Sequence, residues 1–122
     1  MTQVTKKIKN FRDLDIWQLG KEIVFDVYQL THNFPKEEIY GLTSQIRRSA
    51  TSIPANIAEG FNRFHNAEYK HFLFIALGSC AELETHIEIS QDLGFIDIIS
   101  KEKLLEKLDH EQRMMRNLIK KL

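Results

Sequence analysis

The stretch that decides the fold is residues 39–64, IYGLTSQIRRSATSIPANIAEGFNRF. Ile39, Leu42, Ile46, Ala50, Ile53, Ile57, Phe61 and Phe64 recur at steps of three or four, the spacing of one face of an α-helix. The pattern runs straight across Pro54. A proline there has no N–H to donate, and its ring crowds the carbonyl four residues back. Unbroken periodicity across it predicts a single helix, kinked over Ala50–Pro54, rather than two short helices broken at Ser52. Glu37 and Glu38 suit the positive end of a helix dipole, so this helix is predicted to start near Lys36–Glu38.

Working back toward the N-terminus, Pro35 disfavours helix at Phe34 and ends an earlier segment there. That segment is predicted to start near Asp13, a good N-cap residue, with Asp15 in the first turn. Its stripe is Ile16, Ile23, Val27 and Leu30, flanked by Trp17, Val24, Tyr28 and Thr31. Residues 1–12 read as a basic lead-in carrying Lys6, Lys7, Lys9 and Arg12.

Working forward, a third helix is predicted from a cap at His65 or Asn66, with the stripe Tyr69, Phe72, Leu73, Ala76, Cys80, Leu83, Ile87 and Ser90. A run of small residues, Ala76, Gly78, Ser79, Cys80 and Ala81, interrupts it. Gly in a helix interior costs about 1 kcal/mol relative to Ala. A packing role for Gly78 is therefore expected, and Gly78→Leu should destabilise by about 1–3 kcal/mol through overpacking. Leu93-Gly94-Phe95 reads as a helix end with Gly94 in the left-handed position and Phe95 folding back. A fourth helix follows, capped by Ser100. One edge of its stripe is Leu104, Leu108, Met115, Leu118 and Leu122, and the other is Leu105, Gln112 and Ile119. Four amphipathic segments joined by short connections predict an all-α domain over residues 13–122. The expected architecture is an antiparallel up-down-up-down four-helix bundle.

Composition narrows the function classes. The 122 residues fit one domain able to bury a core without staples. Basic and acidic residues number 17 each, and this neutral balance argues against strong non-specific nucleic-acid binding by the monomer. A single cysteine, Cys80, excludes an internal disulfide and fits a reducing compartment. No secretory leader or membrane-spanning run is visible, so a cytoplasmic protein with no membrane association is expected.

Signals for chemistry are sparse. A di-metal bundle site needs Glu-x-x-His on two helices and a Glu on each of the others. Only one such pair occurs, Glu68 with His71, so no metal site and no cofactor is expected. His65, His71, His86 and His110 could act as bases, but no nucleophile has a visible partner. Cys80 lies on a core stripe, where a thiol is usually inert. No catalytic residue is assigned, and the chain is expected not to be an enzyme. Charges are uneven: Arg113, Arg116, Lys120 and Lys121 crowd the end of helix four, while Arg47, Arg48 and Arg63 lie on helix two. Cations at a helix C-terminus complement its dipole. The same residues are also the candidates for contact with a nucleic acid or another partner. Phe25 and Phe74 fall off the core stripes, and that surplus apolar surface predicts oligomerisation.

Residues 45–60 depart most from local rules, mixing Ser52, Pro54, Asn56, Glu59 and Gly60 into an apolar stripe. A structural knot inside the bundle is the first reading of this stretch, and a ligand groove the second.

This stretch also carries a resemblance. Phe11–Trp17, Phe34-Pro35, Glu38–Leu42, Gln45–Ala50, Ser52–Gly60, Ala76–Leu83 and Leu93-Gly94 together resemble the bacterial proteins of the 23S rRNA intervening-sequence family. The resemblance implies an antiparallel four-helix bundle that assembles as a homopentamer, with no established molecular role. It makes Ser52, Pro54, Asn56, Glu59, Gly60 and Gly78 structural positions of the family. A related branch, the accessory proteins of diversity-generating retroelements, is a basic pentamer that binds reverse transcriptase and nucleic acid. The zero net charge of this chain departs from that branch. The implied partners are other copies of the chain, together with RNA, an RNA-handling protein, or a protein partner with no nucleic acid.

Overall fold

A computed structural model describes residues 7–122. Residues 1–6 of the lead-in, Lys6 included, lie outside the described residues. Four helices make up the domain: α1 (Asp15–Thr31), α2 (Leu42–Phe61), α3 (Asn66–Asp92) and α4 (Ile98–Lys121). Helix α1 packs on α2 and α4, α2 on α3, and α3 on α4. That ring of neighbours makes an all-α four-helix bundle, with four residues between α2 and α3 and five between α3 and α4.

The core is the set of stripes read from the sequence. Ile23, Val27, Ile46, Ala50, Ile53, Ile57, Leu73, Ala76, Cys80, Leu83, Ile87, Leu108 and Met115 are all fully buried. Helix α2 runs without a break through Pro54. Side chains near Pro54 bond to nearby carbonyls: Ser52 Oγ donates to Ser49 O (2.8 Å), Thr51 Oγ1 to Arg48 O (3.1 Å) and Asn56 Nδ2 to Ser52 O (2.7 Å).

Helix starts differ from expectation. Lys36–Glu38 form a separate 3-10 turn, and α2 begins only at Leu42, after Gly41 takes a non-helical backbone (φ −116°, ψ −114°). Ile39 is consequently outside the helix and exposed. The far end of the stripe fails as well. Phe64 follows α2, has φ 55° and is exposed. Phe11–Asp13 form a 3-10 turn capped by Asn10, so α1 starts at Asp15 rather than Asp13. His65 caps α3 without a side-chain bond. Helix α4 is capped by Asp97, whose Oδ1 accepts from Ser100 N (2.7 Å), so Ser100 is the donor and not the cap. That bond holds the Asp97 carboxyl below its ordinary pKa. Gly94 has φ +80°, as expected, and Phe95 N donates back to Ser90 O (2.9 Å). This closes α3 and lays Phe95 against Phe34, ring centroids 5.4 Å apart.

Gly78 corrects an expectation. It is exposed, and a Cβ built on it meets nothing within 4 Å. The small-residue run therefore turns its glycine outward, not into the bundle. In the single chain Gly78→Ala is expected to raise stability by up to about 1 kcal/mol through helix propensity. Chemical denaturation of the variant checks this, and a loss of stability would mean the position is packed.

Candidate binding surface and buried carboxyl

The seven basic candidates do not gather in one place. Arg63, at the end of α2, pairs with Glu59 (2.9 Å), lies 3.9 Å from Glu68 and covers the Phe72 ring. It lies just past Phe61, the last residue of α2, which is fourteen residues and about 21 Å beyond Arg47 at 1.5 Å per residue. Arg113 pairs with Asp109 (3.1 Å), and Arg116 donates to Gln112 Oε1 (3.4 Å). Lys120 and Lys121 are exposed in the last turn of α4. This end of α4 lies toward the start of α1, since Met114 shares a hollow with Asp15 and Gln18. Arg47 instead lies on Tyr28 and Thr31, at the other end of α1.

Arg47 and Arg48 do come together with other groups. The end of α1, the turn after it and the first two turns of α2 enclose an open cleft. It consists of two adjoining hollows that share Ile39, Thr43 and Arg47: Tyr28, Ser44 and Arg48 line one, His32 and Lys36 line the other, and no Asp or Glu lines either. Arg47 is held in place: its guanidinium lies 4.5 Å over the Tyr28 ring, and its Nε donates to Thr31 Oγ1 (3.0 Å). Thr31 Oγ1 in turn donates to Val27 O (2.8 Å). The sequence placed Thr31 beside a core stripe and gave no sign that its hydroxyl fixes an arginine sixteen residues later.

Two of the motif residues, Gly60 and Pro54, stand where helices meet. Gly60 is buried where α2 meets α3, and a Cβ there would come within 2.7 Å of Phe72 Cβ. Pro54 meets α1 at Gly20, where an added Cβ would stand 3.4 Å from Pro54 Cβ and 2.9 Å from Glu111 Oε2. Glu59 pairs with Arg63.

Glu111 was not picked out by the sequence reading. Its exposure is 0%, and neither carboxyl oxygen has a hydrogen-bond partner among the described residues. Burial pushes its pKa up to about 8, so the group is held largely as the neutral acid near neutrality. The signal was a gap. The α4 stripe steps from Leu108 to Met115, and the helical position between them is 111. Cys80 faces the same region, and its thiol is pushed up to about 12 by burial, with Glu111 and Glu84 adding to the rise and Arg116 opposing it. Such a thiol stays protonated and is a poor nucleophile. Glu84 accepts from Gln112 Nε2, tying α3 to α4. Lys107 bridges α4 to α1 through Asp26 (2.5 Å) and Glu22 (2.7 Å).

Of the metal half-motif, Glu68 lies beside Arg63, and the His71 ring packs on Phe72 with centroids 5.6 Å apart. No group of three or more His, Cys, Asp or Glu that could hold a metal ion occurs among the described residues. No helix among them is long and apolar enough to cross a membrane.

Fold and surface together define an all-α bundle with an acid-free basic cleft and a buried carboxyl. The chain belongs to the 23S rRNA-intervening sequence protein family, whose model matches residues 12–117. It is similar in structure to a protein of unknown function of the S23 ribosomal protein family from Bacteroides thetaiotaomicron. The TM-score is 0.77 at 24% sequence identity, covering 86% of this chain and 98% of that one. That likeness supports the fold. No curated protein matches the chain.

Proposed function

We propose that this chain works without catalysis of its own, as a self-associating helical scaffold that holds RNA or an RNA-handling protein in the bacterial cytoplasm. One observation carries the self-association. Phe74, Gly78, Ala81 and Thr85 follow one another at helical spacing along α3, all exposed and all uncharged. Thr85 Oγ1 is already used, donating to Ala81 O (2.9 Å). Phe74 is 57% exposed, and on α1 Phe25 is 64% exposed. An uncharged stripe with an open glycine lets a second copy of this chain approach closely, and the family resemblance supports a homopentamer as the form of the assembly.

A ring repeats each modest basic patch several times, and linked weak contacts gain affinity through effective concentration. This reconciles RNA contact with a chain of zero net charge. The same neutrality favours a second reading, a scaffold for protein partners with no nucleic acid.

Light scattering at micromolar concentration is expected to give several times the 14.4 kDa chain mass, near fivefold for a pentamer. Gly78→Leu should leave helicity intact and lower that mass. A wild-type monomer would remove the scaffold reading. For the RNA half, structured and single-stranded RNA are titrated at two salt concentrations. Binding should weaken steeply with salt, since each phosphate contact releases a counterion. No binding even at low salt would leave the protein-partner reading.

A further inference from the structure

The cleft at the start of α2 does more than add two arginines to a surface inventory. Arg63 is paired with Glu59 and Arg113 with Asp109, while Arg116 donates to the Gln112 amide oxygen. Arg47 and Arg48 have no ion pair among the described residues, although the chain carries as many acids as bases. Arg47 is also partly ordered in advance. Its Nε is taken by Thr31, and one face is taken by Tyr28. Its two terminal nitrogens have no partner among the described residues. A guanidinium fixed in this way has lost much of its rotamer freedom before any ligand arrives, which lowers the cost of binding.

The surrounding groups match an anion. Arg47 and Thr43 line both hollows of the cleft, Arg48 and Ser44 one of them, and His32 and Lys36 the other. Thr43 is 2% exposed, and its Oγ1 has no hydrogen-bond partner among the described residues. Helix α2 starts here without a side-chain N-cap, its first N–H meeting only the Glu38 carboxylate at 3.3 Å. Glu38 sits at the helix start and is not among the lining residues.

We infer that this cleft binds a phosphate group, with the terminal nitrogens of Arg47 as a fork on two of its oxygens and Arg48 as the second charge. Planar fork geometry suits phosphate oxygens better than a single ammonium does. The inference deepens the RNA half of the proposed function by naming the group recognised. The phosphate comes either from a nucleic-acid backbone or from a small phosphorylated molecule.

The full chain is titrated with pyrophosphate by calorimetry, and with a fluorescent single-stranded oligoribonucleotide by anisotropy, both at low salt. Both probes are expected to bind, with pyrophosphate displacing the oligonucleotide. Arg47→Lys is expected to weaken both by about tenfold, the loss of a charge-assisted bond. Arg48 is exposed, so Arg48→Ala gives the same test without disturbing the packing on Tyr28. Pyrophosphate binding alone, lost in both variants, supports the cleft and assigns it to small phosphorylated molecules. The RNA reading then fails separately. Oligonucleotide binding that both variants retain, and that an Arg113/Arg116/Lys120/Lys121→Ala variant loses, overturns the cleft while RNA contact stands. Binding of neither probe overturns it outright.

Discussion

The stability of this protein is expected to fall as pH rises from 5 to 8.5, and Glu111→Gln is expected to remove most of that fall. Glu111 has its pKa raised from 4.5 to about 8 by burial in the folded chain. Between those values the folded state holds a proton that the unfolded state has released. Stability therefore decreases with pH across the window and levels off above the folded value. At 1.36 kcal/mol per pH unit the full effect is on the order of 5 kcal/mol, a large part of the roughly 5–15 kcal/mol that holds an ordinary domain together. Other shifted groups titrate outside the window. Asp97 lies below 3.8, Cys80 and Tyr69 near 12, and Lys101 and Lys107 above 10.5. Urea titrations at several pH values, wild type beside Glu111→Gln, give the measurement. A slope that survives in the variant would show that Glu111 is not its source. The neutral amide is expected to be the more stable chain at pH 8, because it cannot ionise inside the bundle.

Gly60→Ala is the second large effect. A helix usually gains from this change, but here the new Cβ would lie 2.7 Å from Phe72 Cβ, 3.2 Å from Tyr69 Cδ1 and 3.3 Å from Tyr69 O. Two of these atoms are fixed to the backbone of α3 or part of it, so no side-chain rotation relieves the contact. The helices must separate, at a cost of about 2 kcal/mol. Gly60→Ala should thus lower the denaturation midpoint of the dissociated chain, while Gly78→Ala raises it. Like-signed shifts for the pair would contradict the assignment of Gly60 to the α2–α3 contact and Gly78 to the open face.

These opposite glycines mark the limit of what a single sequence reveals. Both stand inside helical patterns, and spacing alone could not say which one meets a neighbour. The reading that gave Gly78 a packing role followed the small residues around it, and the buried contact belongs to Gly60. Helix starts slipped for a related reason. Stripes locate faces well, but a start is set by local backbone events such as the turn at Gly41 and the Asp97 cap. Of the candidate bases, Arg63 and Arg113 each have an acid four residues earlier, Glu59 and Asp109, while Arg47 and Arg48 have none at that spacing, a difference legible in the sequence that the grouping of all four overlooked.

Four amphipathic stripes of period 3.6, short connections and few glycines or prolines were enough to determine four helices, their core faces and a bundle. That follows because burying one apolar face per helix leaves few arrangements for segments so closely joined. The chain also determined that α2 continues through Pro54, since its apolar face does not change register there. Only the tertiary structure decided what fills the gaps in those stripes. Gly20 interrupts α1 and Glu111 interrupts α4, and the two meet each other and Pro54 where three helices converge. A glycine, a proline and an acid far apart in the chain carry no joint signal in sequence. Their relation exists only once packing brings the helices within contact, and there the carboxyl's pKa is set by the water it has lost.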